Sequence, residues 1–146
     1  MLLTKRIRAK SNLLLALLLL AGCGKKEIYE KIYDKQSAQK PIHCLHIEAD
    51  DLTRYILLKN DFLRRLSSAS CPLVLQATAH YVTSCKSAQA KALGSDFDGF
   101  LRLSVRREGR SIYRVQQDFK GCLNANVVNN LVQRMKERLH FALPHD

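Results

Sequence analysis

The sequence predicts an α+β fold: a two-layer sandwich in which a mixed sheet of about four strands carries two amphipathic helices on one face. Three observations point to it. Residues 51–66 and 124–141 repeat apolar side chains at helical spacing. Residues 73–85 and the two arms around Gly109 alternate apolar with polar residues, as half-buried strands do. The resulting order is strand, helix, strand, strand, strand, helix, which leaves two helical stripes that one sheet face can bury.

Residues 42–48, IHCLHIE, read as a first short strand with Leu45 and Ile47 facing inward. Asp50 then offers a helix N-cap and Asp51 an acidic first turn. Leu52, Tyr55, Ile56, Phe62, Leu63 and Leu66 follow at helical spacing up to the basic pair Arg64-Arg65, so one helix over 51–66 is expected. Ser67 to Pro72 break it. From Leu73 the odd positions Leu73, Leu75, Ala77, Ala79 and Tyr81 alternate with more polar residues up to Cys85, giving a long strand, and Lys86 to Asp96 form a polar connection with room for a helical turn.

A hairpin comes next. Leu101, Leu103 and Val105 define the inward face of one arm, and Tyr113, Val115 and Phe119 that of the other. A two-residue turn would pair Val105 with Ile112 and set the apolar residues on opposite faces. A three-residue loop at Glu108-Gly109-Arg110 pairs Val105 with Tyr113 and Leu103 with Val115, with Gly109 free to take positive φ, and is therefore expected. After Gly121, residues 124–141 place Val127, Val128, Leu131, Val132, Met135 and Leu139 on one side of a second helix, ended by Pro144.

The N-terminus is of a different kind. Lys5, Arg6, Arg8 and Lys10 precede an apolar run from Leu13 to Leu20 and the small residues Ala21 and Gly22, the charged, hydrophobic and cleavage regions of a secretory leader in order. The run is short of the roughly 20 apolar residues that a resident membrane helix needs. Leu20-Ala21-Gly22-Cys23 resembles the lipobox of bacterial lipoproteins. The resemblance covers the first 23 or so residues and implies that Cys23 is lipidated on its thiol, that the leader is cut before it, and that the new amine is acylated. One buried acyl chain binds a membrane reversibly and several bind it firmly, at about 0.8 kcal/mol per CH₂. Gly24 follows the cysteine where Asp commonly signals inner-membrane retention in Gram-negative lipoproteins, so the resemblance points to the periplasmic face of the outer membrane. The alternative, an ordinary signal peptide, would leave a bare thiol at the mature terminus in an oxidising compartment.

The chain then divides into a leader over 1–22, the lipidated cysteine and a polar tether over 23–41, and a single small periplasmic domain over 42–146. The tether, GKKEIYEKIYDKQSAQKP after Cys23, has little apolar bulk, and as a flexible coil would hold the domain roughly 20 to 25 Å from the lipid. Ile28, Tyr29, Ile32 and Tyr33 recur at four-residue spacing within it, which also allows a short helix whose tyrosines dock at the membrane interface. A solvated linker is the preferred assignment.

Removing the leader's four cations from a net charge of +11 leaves the mature chain near +7. An exported protein meets little nucleic acid, so no nucleic-acid partner is expected. Lipid phosphates, lipopolysaccharide cores, peptidoglycan carboxylates and acidic envelope proteins are the partners that this charge suits. Cys44, Cys71, Cys85 and Cys122 remain after Cys23, an even count that implies two disulfides in an oxidising space. Short metal-ligand spacings such as CxxC are absent, and His43, Cys44 and His46 alternate unfavourably in an extended segment. A crossover between the first two strands puts Cys44 and Cys71 at one end, and the antiparallel run that follows returns Cys85 to Cys122. A 71 to 85 bridge is disfavoured because a straight strand would hold those residues roughly 45 Å apart.

The outward face of the hairpin carries Arg102, Arg106 and Arg114, with Arg107 and Arg110 around its tip. Like charges at neighbouring sheet positions cost a few tenths of a kcal/mol each, and the planar guanidinium fork grips phosphate or carboxylate with two hydrogen bonds. These five arginines are the candidate site for an anion or an acidic partner, against a plain solvated face neutralised by Glu108 and Asp118. For catalysis the chain offers only Asp96 and Asp98, flanking Phe97 before a strand, a pairing more typical of turns than of acid–base chemistry. It has no nucleophile elbow, HExxH or phosphate-cradling glycine loop, and no cofactor is expected. A non-catalytic accessory lipoprotein that docks to an envelope assembly or transport component is the expectation. In element order only, such small sandwiches resemble the lipoprotein subunits of lipid transport, lipopolysaccharide insertion and peptidoglycan synthase activation.

Overall fold

A computed structural model describes residues 27–82 and 98–143. Its elements are β1 (Ile28–Ile32), α1 (Lys35–Ala38), β2 (His46–Glu48), α2 (Asp51–Leu58), α3 (Asp61–Leu66), β3 (Leu73–Tyr81), β4 (Gly99–Arg107), β5 (Arg110–Phe119) and α4 (Ala125–Arg138). The five strands form one mixed sheet in the order β1-β5-β4-β3-β2, with β2 parallel to β3 and the other pairs antiparallel. Leu75, Leu101, Leu103, Val105, Tyr113 and Val115 point to one side of it and are wholly buried with Leu57, Leu63, Leu131 and Met135 from the helices. Each such side chain contributes about 1.5–3 kcal/mol by leaving water.

The fold is α+β as expected, with one strand more. That strand, β1, lies inside the stretch assigned to a tether. From Ile28 the chain pairs along β5, with Ile28 opposite Gln117 and Ile32 opposite Tyr113. Asp34 then caps α1, accepting from the Ser37 amide, and Ala38 and Ile42 enter the core. A four-residue repeat hid a two-residue one: Ile28, Glu30 and Ile32 face the helices while Tyr29 and Lys31 face outward. A strand needs only this alternation and a partner edge.

The single helix expected over 51–66 is two. Asp50 caps α2 as anticipated, its carboxylate accepting from the Thr53 amide at 2.9 Å and the Thr53 hydroxyl at 2.6 Å. Asn60 then starts a new helix by accepting from the Leu63 amide at 3.1 Å, and its own amide donates to Asn129 of α4 at 2.8 Å. The break is a packing requirement. Leu57 and Leu63 are both wholly buried, yet six positions at about 100° each would set them about 120° apart on one straight helix. Re-aiming the chain at Lys59 and Asn60 turns both inward. Correspondingly, α2 buries Thr53 and Leu57, while Leu52 and Tyr55 of the expected stripe stay 60% and 61% exposed.

The first strand is shorter than 42–48. Only His46–Glu48 pairs along β3; Ile42 bridges to Phe141 and Leu45 to Ser67, while Leu45 and Ile47 face inward as expected. At the hairpin the predicted register holds, with Leu103 opposite Val115 and Val105 opposite Tyr113. The loop does not. Glu108 and Gly109 alone make the turn, both at positive φ (50° and 78°), and the odd residue is taken up by a bulge at Ile112 between the Tyr113 and Ser111 pairs. A turn with both central residues left-handed follows the strand twist better than a three-residue loop, and the bulge lets Ile112 and Tyr113 both be buried. The bulge leaves a carbonyl free of the ladder, and the amides of Tyr33 and Asp34 donate to it at 2.8 and 3.3 Å. The β1–α1 corner is thereby pinned to the hairpin.

The second helix runs over Ala125–Arg138, within the expected 124–141, and Asn124 caps it. Among the described residues, no helix is long and apolar enough to cross a membrane.

Candidate anion-binding face of the sheet

Period-two alternation decides which side chains share the side of the sheet that bears none of the described helices. Arg102 and Arg106 of β4 and Arg114 of β5 project there with Gln116 and Asp118, beside Gln76 and His80 of β3 and Tyr29 and Lys31 of β1. The Arg102 Nε donates to the Gln116 side-chain oxygen at 2.9 Å, and its guanidinium lies 5.1 Å from the Phe100 ring, which in turn stacks on His80. Arg106 donates to the Gln76 side-chain oxygen at 3.4 Å and to the Gly109 carbonyl at 2.8 Å. Arg114 Nε donates to Ser104 Oγ at 3.3 Å, and its guanidinium lies 5.4 Å from the Tyr33 ring, which the Lys31 ammonium also approaches at 4.9 Å.

Every one of these acceptors is neutral. Asp118 takes its hydrogen bond from Gln116 at 3.5 Å, not from an arginine, and Glu108 sits at the exposed turn. The neutralised-face alternative therefore lacks its ion pairs among the described residues: the salt bridges there join Arg64 to Asp61, Arg134 to Glu137 and Arg138 to Glu30. Guanidinium groups oriented by neutral acceptors, with a ring beside Arg102 and another beside Arg114 and no ion pair to Asp118 among the described residues, are arranged to accept an incoming anion. A shallow cavity of about 130 Å³, lined by Tyr29, Glu30, Lys31, Arg114 and Gln116, opens on this face beside β1.

The structure brings Arg102, Arg106 and Arg114 together but separates the two tip residues from them. Arg107 belongs to the opposite, inward-facing register, opposite Leu73, with its Nε buried and without a hydrogen-bond partner, and Arg110 projects at the exposed turn. Lys31 and Tyr33 were missed because they fell within the assigned tether; the alternation in IYEKIY was the signal that would have placed them.

On its other side β1 is held by Glu30. That carboxylate accepts from Arg138 Nε and NH2 at 2.9 and 2.6 Å and from the Tyr113 hydroxyl at 3.0 Å. Partial burial opposes its ionisation, but the hydrogen bonds from Arg138 and Tyr113 outweigh this and keep the carboxyl below its usual range. Burial, followed by the adjoining Glu30, pushes the Tyr113 phenol well up.

Cys44 and Cys71 form the expected disulfide, with their Cα atoms 5.8 Å apart. A metal at His43, Cys44 and His46 would have to break it. Cys122 is also disulfide-bonded, while Cys85, its expected partner, lies outside the described residues, as do Cys23 and Asp96. The Asp98 carboxylate accepts from the Gly121 amide at 2.5 Å, where that glycine takes φ 72° to turn the chain from β5 towards α4. Neither a family model, nor a curated protein, nor a solved structure matches this chain.

Proposed function

We propose that this chain is a lipid-anchored, non-catalytic accessory protein of the bacterial envelope, held by acylated Cys23 on the periplasmic face of the outer membrane. Its arginine-bearing sheet face would dock it to an anionic envelope component. The observation that carries the reading is that Arg102, Arg106 and Arg114 are oriented by neutral acceptors and form no ion pair with a carboxylate among the described residues. Folding does not require this concentration of cations on one face: Lys31 stands directly opposite Arg114, and Arg102 and Arg106 lie diagonal to it, and like charges placed directly opposite are destabilising by a few tenths of a kcal/mol. An incoming phosphate or carboxylate relieves that repulsion. Asp98, engaged with Gly121, supports a structural rather than a catalytic role for that residue, and a second disulfide between Cys85 and Cys122 completes the proposed oxidised framework.

The test is charge reversal of Arg102, Arg106 and Arg114 to Glu in the full chain, followed by binding to purified lipopolysaccharide and peptidoglycan at low and high salt. Salt-sensitive binding by the parent chain that the variant loses supports the reading. Equal binding by both eliminates the face as a site. A second reading rests on Leu52 and Tyr55, neighbours on the outer side of α2 and more than half exposed. Such a pair suits docking to an envelope protein, and photo-crosslinkers at these two positions that capture the same protein in cells would favour it over the anion reading.

A further inference from the structure

We infer that the anion met by this face is the phosphate of acidic phospholipids in the very leaflet that holds the anchor, so that the domain lies with the arginine side of its sheet against its own membrane. The inference rests on the proposed acylation of Cys23. Its starting point is the folding of β1. With the sheet beginning at Ile28, only residues 23–27 separate the proposed anchor from it in sequence, a contour of at most about 18 Å. Headgroups are then within reach of the domain without any long tether.

The strand that receives this short connection is the one that borders the arginine face. Lys31 pairs with Arg114 and Tyr29 with Gln116, and neighbouring strands lie about 4.8 Å apart, so Arg102 and Arg106 on β4 are roughly 10 Å from β1. All four cations therefore lie closer to the anchored strand than the connection is long. Tyr29 and Tyr33 add exposed rings, 52% and 43% accessible, of the kind that settle at headgroup level with an apolar body and a wet hydroxyl. Three acids share the neighbourhood. Glu27 accepts from the Tyr29 hydroxyl at 2.7 Å, Asp118 stands on β5, and Glu108 lies in the turn beside Gly109, to which Arg106 donates; Lys31, Arg102, Arg106 and Arg114 outnumber them. A polymer bound from the periplasm would need the same face to point away from the leaflet, which so short a connection at its border disfavours.

The experiment is hydroxyl-radical footprinting of the full acylated chain in nanodiscs of phosphatidylcholine, with and without about 30 mol per cent phosphatidylglycerol. Tyr55, 61% exposed on the helical side, serves as the internal reference. The expected result is loss of labelling at Tyr29 and Tyr33 in the anionic discs, unchanged labelling at Tyr55, and recovery in high salt. In vesicle flotation of the leader-free chain, residues 23–146 with Cys23→Ser, each of Arg102→Gln, Arg114→Gln and Lys31→Gln should weaken binding to phosphatidylglycerol about five-fold; these neutral changes keep the strands' polar faces.

Equal labelling of Tyr29 and Tyr33 in both kinds of disc, or protection of Tyr55 in their place, overturns the inference. If added lipopolysaccharide protects the two tyrosines when the phospholipid does not, the anion-binding reading stands and the membrane-facing orientation falls. Mass spectrometry of the same preparation separates the remaining case: an unacylated N-terminus removes the proposed function and this inference with it.

Discussion

Replacing Cys44 and Cys71 together by Ala tests whether the short β2 edge depends on its covalent tie. The bridge closes a loop of 27 residues containing β2, α2 and α3. On the chain-entropy account, a loop of this length removes about 12 cal/mol/K from the unfolded ensemble, or ~3.5 kcal/mol at 25 °C. Against a typical domain stability of about 5–15 kcal/mol that is a large share. Urea unfolding followed by far-UV circular dichroism provides the measurement, and with a slope of about 1.5 kcal/mol/M the midpoint should fall by roughly 2 M. The slope should also rise, because the uncrosslinked unfolded chain is more expanded. The double variant is preferable to adding reductant to the parent chain, since reductant also attacks the bond at Cys122. A midpoint within the scatter of the parent's would refute the entropic account: α2 and α3 would then already close that loop through local structure in the unfolded state.

Gly99→Ala should destabilise by about 1–3 kcal/mol or prevent folding, because the new Cβ would lie 2.3 Å from the His80 carbonyl oxygen and 2.8 Å from the Phe119 ring; a melting temperature equal to the parent's would contradict the tight strand contact. Gln117 is wholly buried and neither its Oε1 nor its Nε2 has a hydrogen-bond partner, so Gln117→Met should raise stability by about 1 kcal/mol in urea titrations, and a loss would show that the amide is satisfied. Glu30 has a folded-state pKa below its unfolded one. Its stabilisation is therefore complete above the unfolded carboxyl value and disappears as pH falls through the folded value; stability should be level above about pH 5 and decline below about pH 4, with a shallower decline in Glu30→Gln. Unfolding midpoints measured across this range decide it, and identical slopes for the two proteins would remove Glu30 from the acid response.

Legibility in the sequence tracked how strongly a residue's surroundings depended on its near neighbours. The register of β4 on β5 was readable because Leu103, Val105, Tyr113 and Val115 admit one arrangement that buries them all. The bulge at Ile112 was not, since a loop of three and a turn of two plus one extra residue place the same side chains inside; only the twist of the paired strands separates them. Residues 51–66 misled because Leu52 and Tyr55 satisfy a helical stripe as well as Thr53 and Leu57 do, and the choice is made by what α4 offers in return, including the Asn60 to Asn129 hydrogen bond. The three outward arginines were readable from alternation alone. Their lack of ion pairs among the described residues was not, because it depends on Asp118 turning to Gln116.

β1 also shows how the contacts that hold the fold and the proposed binding face become separable in so small a domain. Along a strand successive side chains go to opposite faces, so Glu30 ties β1 to Tyr113 and α4 on one side while Lys31, its neighbour in sequence, joins Arg114 on the other. The inward contacts are charge-assisted and partly shielded, with the Glu30 side chain 23% exposed, and they hold whether or not anything lies on the outer face. The outward cations contribute nothing to that latch. Had 23–41 been a solvated tether, the border of the arginine face would have ended at β5, without Lys31, Tyr29 and Tyr33, and the proposed anchor at Cys23 would have been roughly 20 Å or more from it. Pairing five residues with β5 therefore does three things at once: it covers the β5 edge, adds a cation and two rings to the candidate site, and shortens the connection to Cys23.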